Sequence, residues 1–130
     1  MANARQDKDL ATRLDELKHL IKQLQQDLEN IRDEGEIAPS GCWIVRYQAK
    51  GQKGGRYWYY KWMSHEPIFI TKNGNPSRHQ YLGKAGTEAY LKAVEALSRR
   101  GRIEALERAM STLSRGLEDL VEETSRLHKS

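Results

Sequence analysis

The sequence predicts an α+β protein with an N-terminal coiled-coil helix, a three- or four-stranded antiparallel sheet covered by a helix, and a C-terminal heptad helix. Three observations carry that prediction. Leu10, Leu14, Leu17, Ile21, Leu24, Leu28 and Ile31 recur at alternating steps of four and three, the period of a coiled-coil seam. Two β-prone runs, 42–48 and 56–63, flank the glycine-rich stretch Lys50-Gly51-Gln52-Lys53-Gly54-Gly55, which is hairpin patterning. A second seam, Ile103, Leu106, Met110, Leu113, Leu117, Leu120 and Leu127, follows Gly101, with Thr124 in step.

Taken in order, residues 1–36 form the first helix. Between its seam positions stand Asp, Glu, Lys, Gln and Arg. So narrow an apolar stripe suits a coiled coil better than a helix lying on a broad core. Asp7 or Asp9 is the expected cap. Gly35 and Ala38-Pro39-Ser40-Gly41 end the helix and leave a linker at 37–41. The β module spans 42–86. Its hairpin loop at 50–55 is expected to be mobile, since glycines carry high chain entropy. Residues 68–71 are a short further strand or a long arm of the second. Asn73-Gly74 is a strong turn signal, and 77–82 is the last strand. Thr87 is the expected cap of a sheet-covering helix at 87–99, lined by Tyr90, Leu91, Val94 and Leu97. Gly101 is expected to break the chain before the heptad helix at 102–128.

Two amphipathic seams each need a partner. They pair within one chain, or between chains as a four-helix bundle. The expectation here is a homodimer buried through Leu14, Leu17, Ile21, Leu24, Leu28, Ile31, Ile103, Leu106, Met110, Leu113, Leu117 and Leu120.

Charge points to function. Of 130 residues with formal net charge +4, the segment 41–86 holds eight basic residues, Arg46, Lys50, Lys53, Arg56, Lys61, Lys72, Arg78 and Lys84, against one acid, Glu66. Charge so concentrated, interleaved with the aromatics of Arg56-Tyr57-Trp58-Tyr59-Tyr60-Lys61-Trp62, suits a polyanion and suggests nucleic acid. Period-two alternation places Trp58, Tyr60 and Trp62 on one face of the second strand, and Tyr57, Tyr59 and Lys61 on the other. Grouping Trp43, Val45 and Tyr47 with the tryptophans leaves Arg46, Gln48, Tyr57, Tyr59 and Lys61 facing solvent. Arg78 and Gln80 join them, with His79 and Tyr81 inside. Arg and Gln are suited to base edges. Lys50, Lys53 and Arg56 are suited to phosphates, and Lys84 is a further nucleic-acid-binding candidate.

The string 55–62, the string Ser77-Arg78-His79-Gln80-Tyr81-Leu82-Gly83-Lys84 and the helix after it resemble the AP2-like, integrase arm-type DNA-binding modules, three strands plus a helix. The likeness covers residues 41–98. It implies a sheet lying in the major groove, with Arg46, Gln48, Tyr59, Lys61, Arg78 and Gln80 as groove contacts. The 68–71 insertion, the heptad flanks and the lack of a recombinase domain depart from that pattern. The layout is also similar to small mobile-element proteins, some of which carry a cysteine cluster where this chain has only Cys42.

The single cysteine excludes an internal disulfide and a cysteine-rich zinc site. His19, His65, His79 and His128 have no ligand spacing. No nucleophile motif, phosphate loop or carboxylate cluster marks an enzyme. No catalytic residue, cofactor or metal is expected. The start of the chain shows no apolar signal region, and no apolar run approaches the roughly 20 residues of a membrane span. The expected setting is intracellular and cytoplasmic, with duplex DNA and a second copy of the chain as partners. The competing readings are an adaptor docking an acidic protein and an RNA-binding module.

Overall fold

The computed structural model describes the backbone of residues 4–128 and the side chains of residues 8–128. Its elements are α1 (Ala4–Glu34), β1 (Cys42–Lys50), β2 (Arg56–Ser64), β3 (Phe69–Ile70), β4 (Pro76–Ser77), β5 (His79–Gly83) and α2 (Glu88–Leu127). The α+β class holds. Two compact units divide the chain: Met1–Glu34 with Arg102–Ser130, and Gly35–Gly101. Among the described residues no helix is long and apolar enough to cross a membrane.

The first unit is an antiparallel helical hairpin. Arg13 meets Glu123 at 3.6 Å, Arg32 meets Glu107 at 3.8 Å and Arg102 meets Glu34 at 2.8 Å, so partner numbers fall as α1 advances. Leu10, Leu28, Ile31, Ile103 and Leu120 are buried. Leu14, Leu17, Ile21, Leu24, Leu106, Met110, Leu113 and Leu117 are half-buried. Each seam thus finds its partner in the other seam of the same chain, so covering the two stripes does not require a second copy. α1 begins at Ala4, upstream of both expected caps. Asp9 instead pairs with Arg13 at 3.2 Å one turn on.

α2 runs unbroken through Gly101, against the expected break. One glycine costs only about 1 kcal/mol against alanine in a helix, and the helix-forming residues on either side outweigh it. The boundary between the two units nevertheless falls at this residue.

In the second unit β1, β2 and β5 form an antiparallel sheet in the order β1-β2-β5. Its core gathers Ala38, Cys42, Trp62, Phe69, Leu82, Ala93 and Ala96, flanked by Ile44, Tyr60 and Leu97. Alanines at 93 and 96 let α2 come close to the sheet, and Tyr90 packs edge-on to Tyr60, ring centroids 4.8 Å apart. Leu91 and Val94, expected in this contact, are 50% and 40% exposed. The apolar positions of 90–97 define two overlapping stripes, and the one containing the small residues is the one that packs. The Thr87 hydroxyl accepts the Tyr90 N–H at 3.3 Å, capping the helix. The linker is held down. Ala38 N–H donates to the Ala96 carbonyl at 3.1 Å, and Arg100 donates to the Pro39 and Cys42 carbonyls.

β3 and β4 make a separate small ribbon around Asn73-Gly74, with Gly74 at φ 82° and Thr71 N–H donating to the Asn75 carbonyl at 2.9 Å. The expected last strand is therefore divided, and only its second part joins the main sheet.

Candidate nucleic-acid interface

The hairpin register decides which side chains share a face. Cys42 pairs with Ser64, Ile44 with Trp62, Arg46 with Tyr60, Gln48 with Trp58 and Lys50 with Arg56. Directly opposed residues of an antiparallel pair point the same way. Trp58, Tyr60 and Trp62 therefore share their face with Ile44, Arg46 and Gln48, not with Trp43, Val45 and Tyr47 as expected. On β5, Tyr81 pairs with Lys61 and Gln80 with Trp62. So Tyr81 lies on the open face, and Gln80 and Leu82 on the side that α2 covers.

Three expected open-face contacts, Arg46, Gln48 and Gln80, thus sit on the helix side of the sheet. Arg78 is exposed between β4 and β5, its carbonyl accepting the Ser64 N–H at 2.9 Å. Tyr57, Tyr59 and Lys61 are on the open face as placed by alternation. Lys50 and Arg56 close the hairpin, and Lys53 is exposed at its tip.

The open face is a tyrosine surface with two lysines laid on it. Tyr47 and Tyr59 stack with centroids 6.0 Å apart, and Tyr81 stands edge-on to Tyr47 at 6.4 Å. The Lys61 ammonium lies 5.0 Å from the Tyr47 ring and 6.0 Å from that of Tyr81. Lys84, from the turn before α2, sits 4.2 Å from the Tyr57 ring and 5.9 Å from Tyr59. Tyr81 is 71% exposed. Burial, with lesser contributions from the neighbouring Tyr81 and Tyr59 phenols, raises the Tyr47 phenol above the ordinary tyrosine range. It therefore stays a hydrogen-bond donor into alkaline solution. Farther along the same face, the Trp43 and His65 rings meet at 4.8 Å.

The hairpin tip carries hydrogen bonds of its own and a ring packed across it. Gly51 N–H donates to the Gly55 carbonyl at 2.6 Å, and Gly54 N–H to the Gly51 carbonyl at 3.1 Å. The Tyr57 ring lies across the loop, so close that a Cβ on Gly51 would come within 2.5 Å of it. These glycines are spaces for a ring as well as flexible links.

None of the eight cations of 41–86 has an acidic partner within 4.0 Å among the described residues. Sequence reasoning missed Tyr47 and Tyr81 as members of the open face, and Trp58 as exposed surface. Two signals for them were present. Closing the loop between Lys50 and Arg56 pairs even positions with even, and burying Leu82 turns Tyr81 outward. Comparison with protein-family models, curated proteins and solved structures finds no match.

Proposed function

We propose that this chain is a nucleic-acid-binding protein whose sheet module is the binding element, with duplex DNA as its target. The observation that supports this best is the unpaired positive charge of the module. Eight cations without acidic partners repel one another unless a polyanion neutralises them, and binding one releases its counterions. The open face supplies Lys61, Lys84 and four tyrosine hydroxyls. Lys50, Lys53 and Arg56 supply charge at the hairpin. The module would lie in a groove, as its resemblance to AP2-like modules implies. No catalytic step belongs to this reading. An intracellular, nucleoid setting goes with it, as does self-association through the half-buried middle of the seams.

A second target is favoured by one specific observation, the exposure of the Tyr81 and Tyr57 rings on the open face. Unpaired bases stack on such rings, so single strands compete with duplex. Anisotropy titrations of the full chain against matched duplex and single-stranded probes, repeated over a range of salt, test both. If roughly five phosphates are neutralised, log affinity for duplex falls with log salt at a slope near −4 to −5. A flat salt response with both probes removes the nucleic-acid reading and favours the acidic-protein adaptor. Tighter binding of the single strand moves the target. Light scattering at micromolar concentration measures self-association separately.

A further inference from the structure

The hairpin has a second charged side that the open face does not use. β5 pairs with β2 only from Tyr60 to Met63, so the outer part of the β1–β2 ribbon has no third strand. There, on the helix side, the Arg46 guanidinium carbon lies 3.6 Å from the centre of the Trp58 ring. Arg46 and Trp58 are both exposed, Trp58 by 44%. Beyond them Lys50 and Arg56 stand directly opposite each other. Like charges opposed across a strand pair destabilise it, and among the described residues no acid lies within 4.0 Å of either.

We propose that Arg46 on Trp58, with Lys50 and Arg56, is a second backbone-phosphate site, placed so that bound duplex touches the ribbon on both of its sides. Stacking holds the planar guanidinium flat on the indole, which leaves its N–H donors directed outward from the ring edge. A guanidinium so fixed needs little further ordering to grip a phosphate through two parallel N–H donors. The Lys50–Arg56 pair gains more from an anion than either residue alone, because neutralisation also removes their mutual repulsion. The ligand class is the phosphodiester backbone. The geometry calls for strands passing along both sides of the ribbon, as the two walls of a groove do.

This inference rests on the nucleic-acid reading, and its experiment separates the two. Full-length protein carrying Arg46→Ala with Arg56→Ala is titrated with duplex at several salt concentrations, beside a Lys61→Ala/Lys84→Ala variant. All four side chains are removed from the surface rather than the core, and far-UV circular dichroism confirms the fold. The expected result is that each pair independently flattens the salt slope, by roughly 0.9 for every phosphate that is no longer neutralised. The arginine pair is expected to weaken all sequences alike. Arg46→Lys keeps the charge but not the planar fork. It should keep the slope while lowering affinity several-fold. Trp58 fluorescence, identified by its loss in Trp58→Phe, should change when wild-type protein binds duplex. An unchanged slope in the arginine variant, with the lysine variant weakened, overturns the second site and leaves the open-face reading standing. No effect from either pair overturns both.

Discussion

The helical hairpin and the sheet module handle charge in opposite ways. In the hairpin Arg13, Arg32, Arg102 and Arg126 each lie within 4.0 Å of a carboxylate. Exposed pairs of this kind contribute about 0–1 kcal/mol each. They chiefly make the hairpin surface electrically quiet. In the module Arg46, Lys61 and Lys84 lie over aromatic rings and Lys50 stands opposite Arg56, and among the described residues no carboxylate lies within 4.0 Å of these cations. Cation–π contacts offset part of that repulsion, on the order of 0.5–1 kcal/mol at exposed sites. Net charge is therefore a poor guide to a partner, and unpaired charge is a better one.

The largest expected effect concerns the core, where charge is irrelevant. Trp62, 5% exposed, should cost about 3–5 kcal/mol on replacement by alanine, read from urea unfolding. Ile103→Ala in the hairpin should cost about 2–5 kcal/mol. Near-neutral effects at both positions would mean that charge rather than packing holds the two regions.

Next in size is the direct contrast of cations. Replacing Lys53, Lys61 and Lys84 by Gln should weaken duplex binding by about tenfold for each phosphate these side chains hold, the lower end of what a charge-assisted bond is worth. Replacing Arg13, Arg32 and Arg102 by Gln removes the same formal charge and should leave affinity nearly unchanged. Equal losses from the two triples, measured by anisotropy, would show that only net charge matters.

A smaller effect distinguishes groove from stack. Tyr81→Ala alters a largely exposed side chain, so stability should move by no more than about 0.5 kcal/mol. If bases stack on this face, single-strand affinity should fall by about 1–3 kcal/mol while duplex affinity falls less. Equal falls with both probes would count against stacking.

The smallest effect is alkaline. The Tyr47 phenol is raised above its ordinary value by burial, so the unfolded chain loses that proton first as pH rises. The folded state therefore keeps its full stability below about pH 10 and loses some as pH climbs through the raised value. Ultraviolet titration of wild type against Tyr47→Phe should show the missing phenolate signal on the alkaline side of the ordinary range.

Much of the fold was legible in the sequence. Heptad spacing marked both seams, the aromatic runs marked β1 and β2, and Asn73-Gly74 marked its turn. Each of these is a local pattern with a period or a turn chemistry of its own. What escaped depends on registration between elements. Alternation tells which residues of a strand share a face, but not which face of its neighbour they join, and that choice moved Arg46, Gln48 and Gln80. The covering stripe of α2 escaped for a related reason. Hydrophobicity favours Leu91 and Val94, whereas close approach to the sheet favours Ala93 and Ala96. Gly101 misled because propensity penalises a helical glycine without forbidding it. The candidate site was legible as a basic, aromatic segment, and of its open face alternation gave Tyr57, Tyr59 and Lys61 but not Tyr47 and Tyr81.

The partial pairing of β5 gives the ribbon the mechanics of a cantilever. It is clamped at one end, where Tyr60 to Met63 are hydrogen-bonded on both sides, and free along the rest of its length. Two staples stiffen the free part from opposite sides, Tyr47 on Tyr59 and Arg46 on Trp58, and the Tyr57 ring braces its tip. Such a beam flexes as one piece about its clamp instead of crumpling residue by residue. On a polyanion bound as proposed, it would follow the curvature of that surface while keeping its side chains in register.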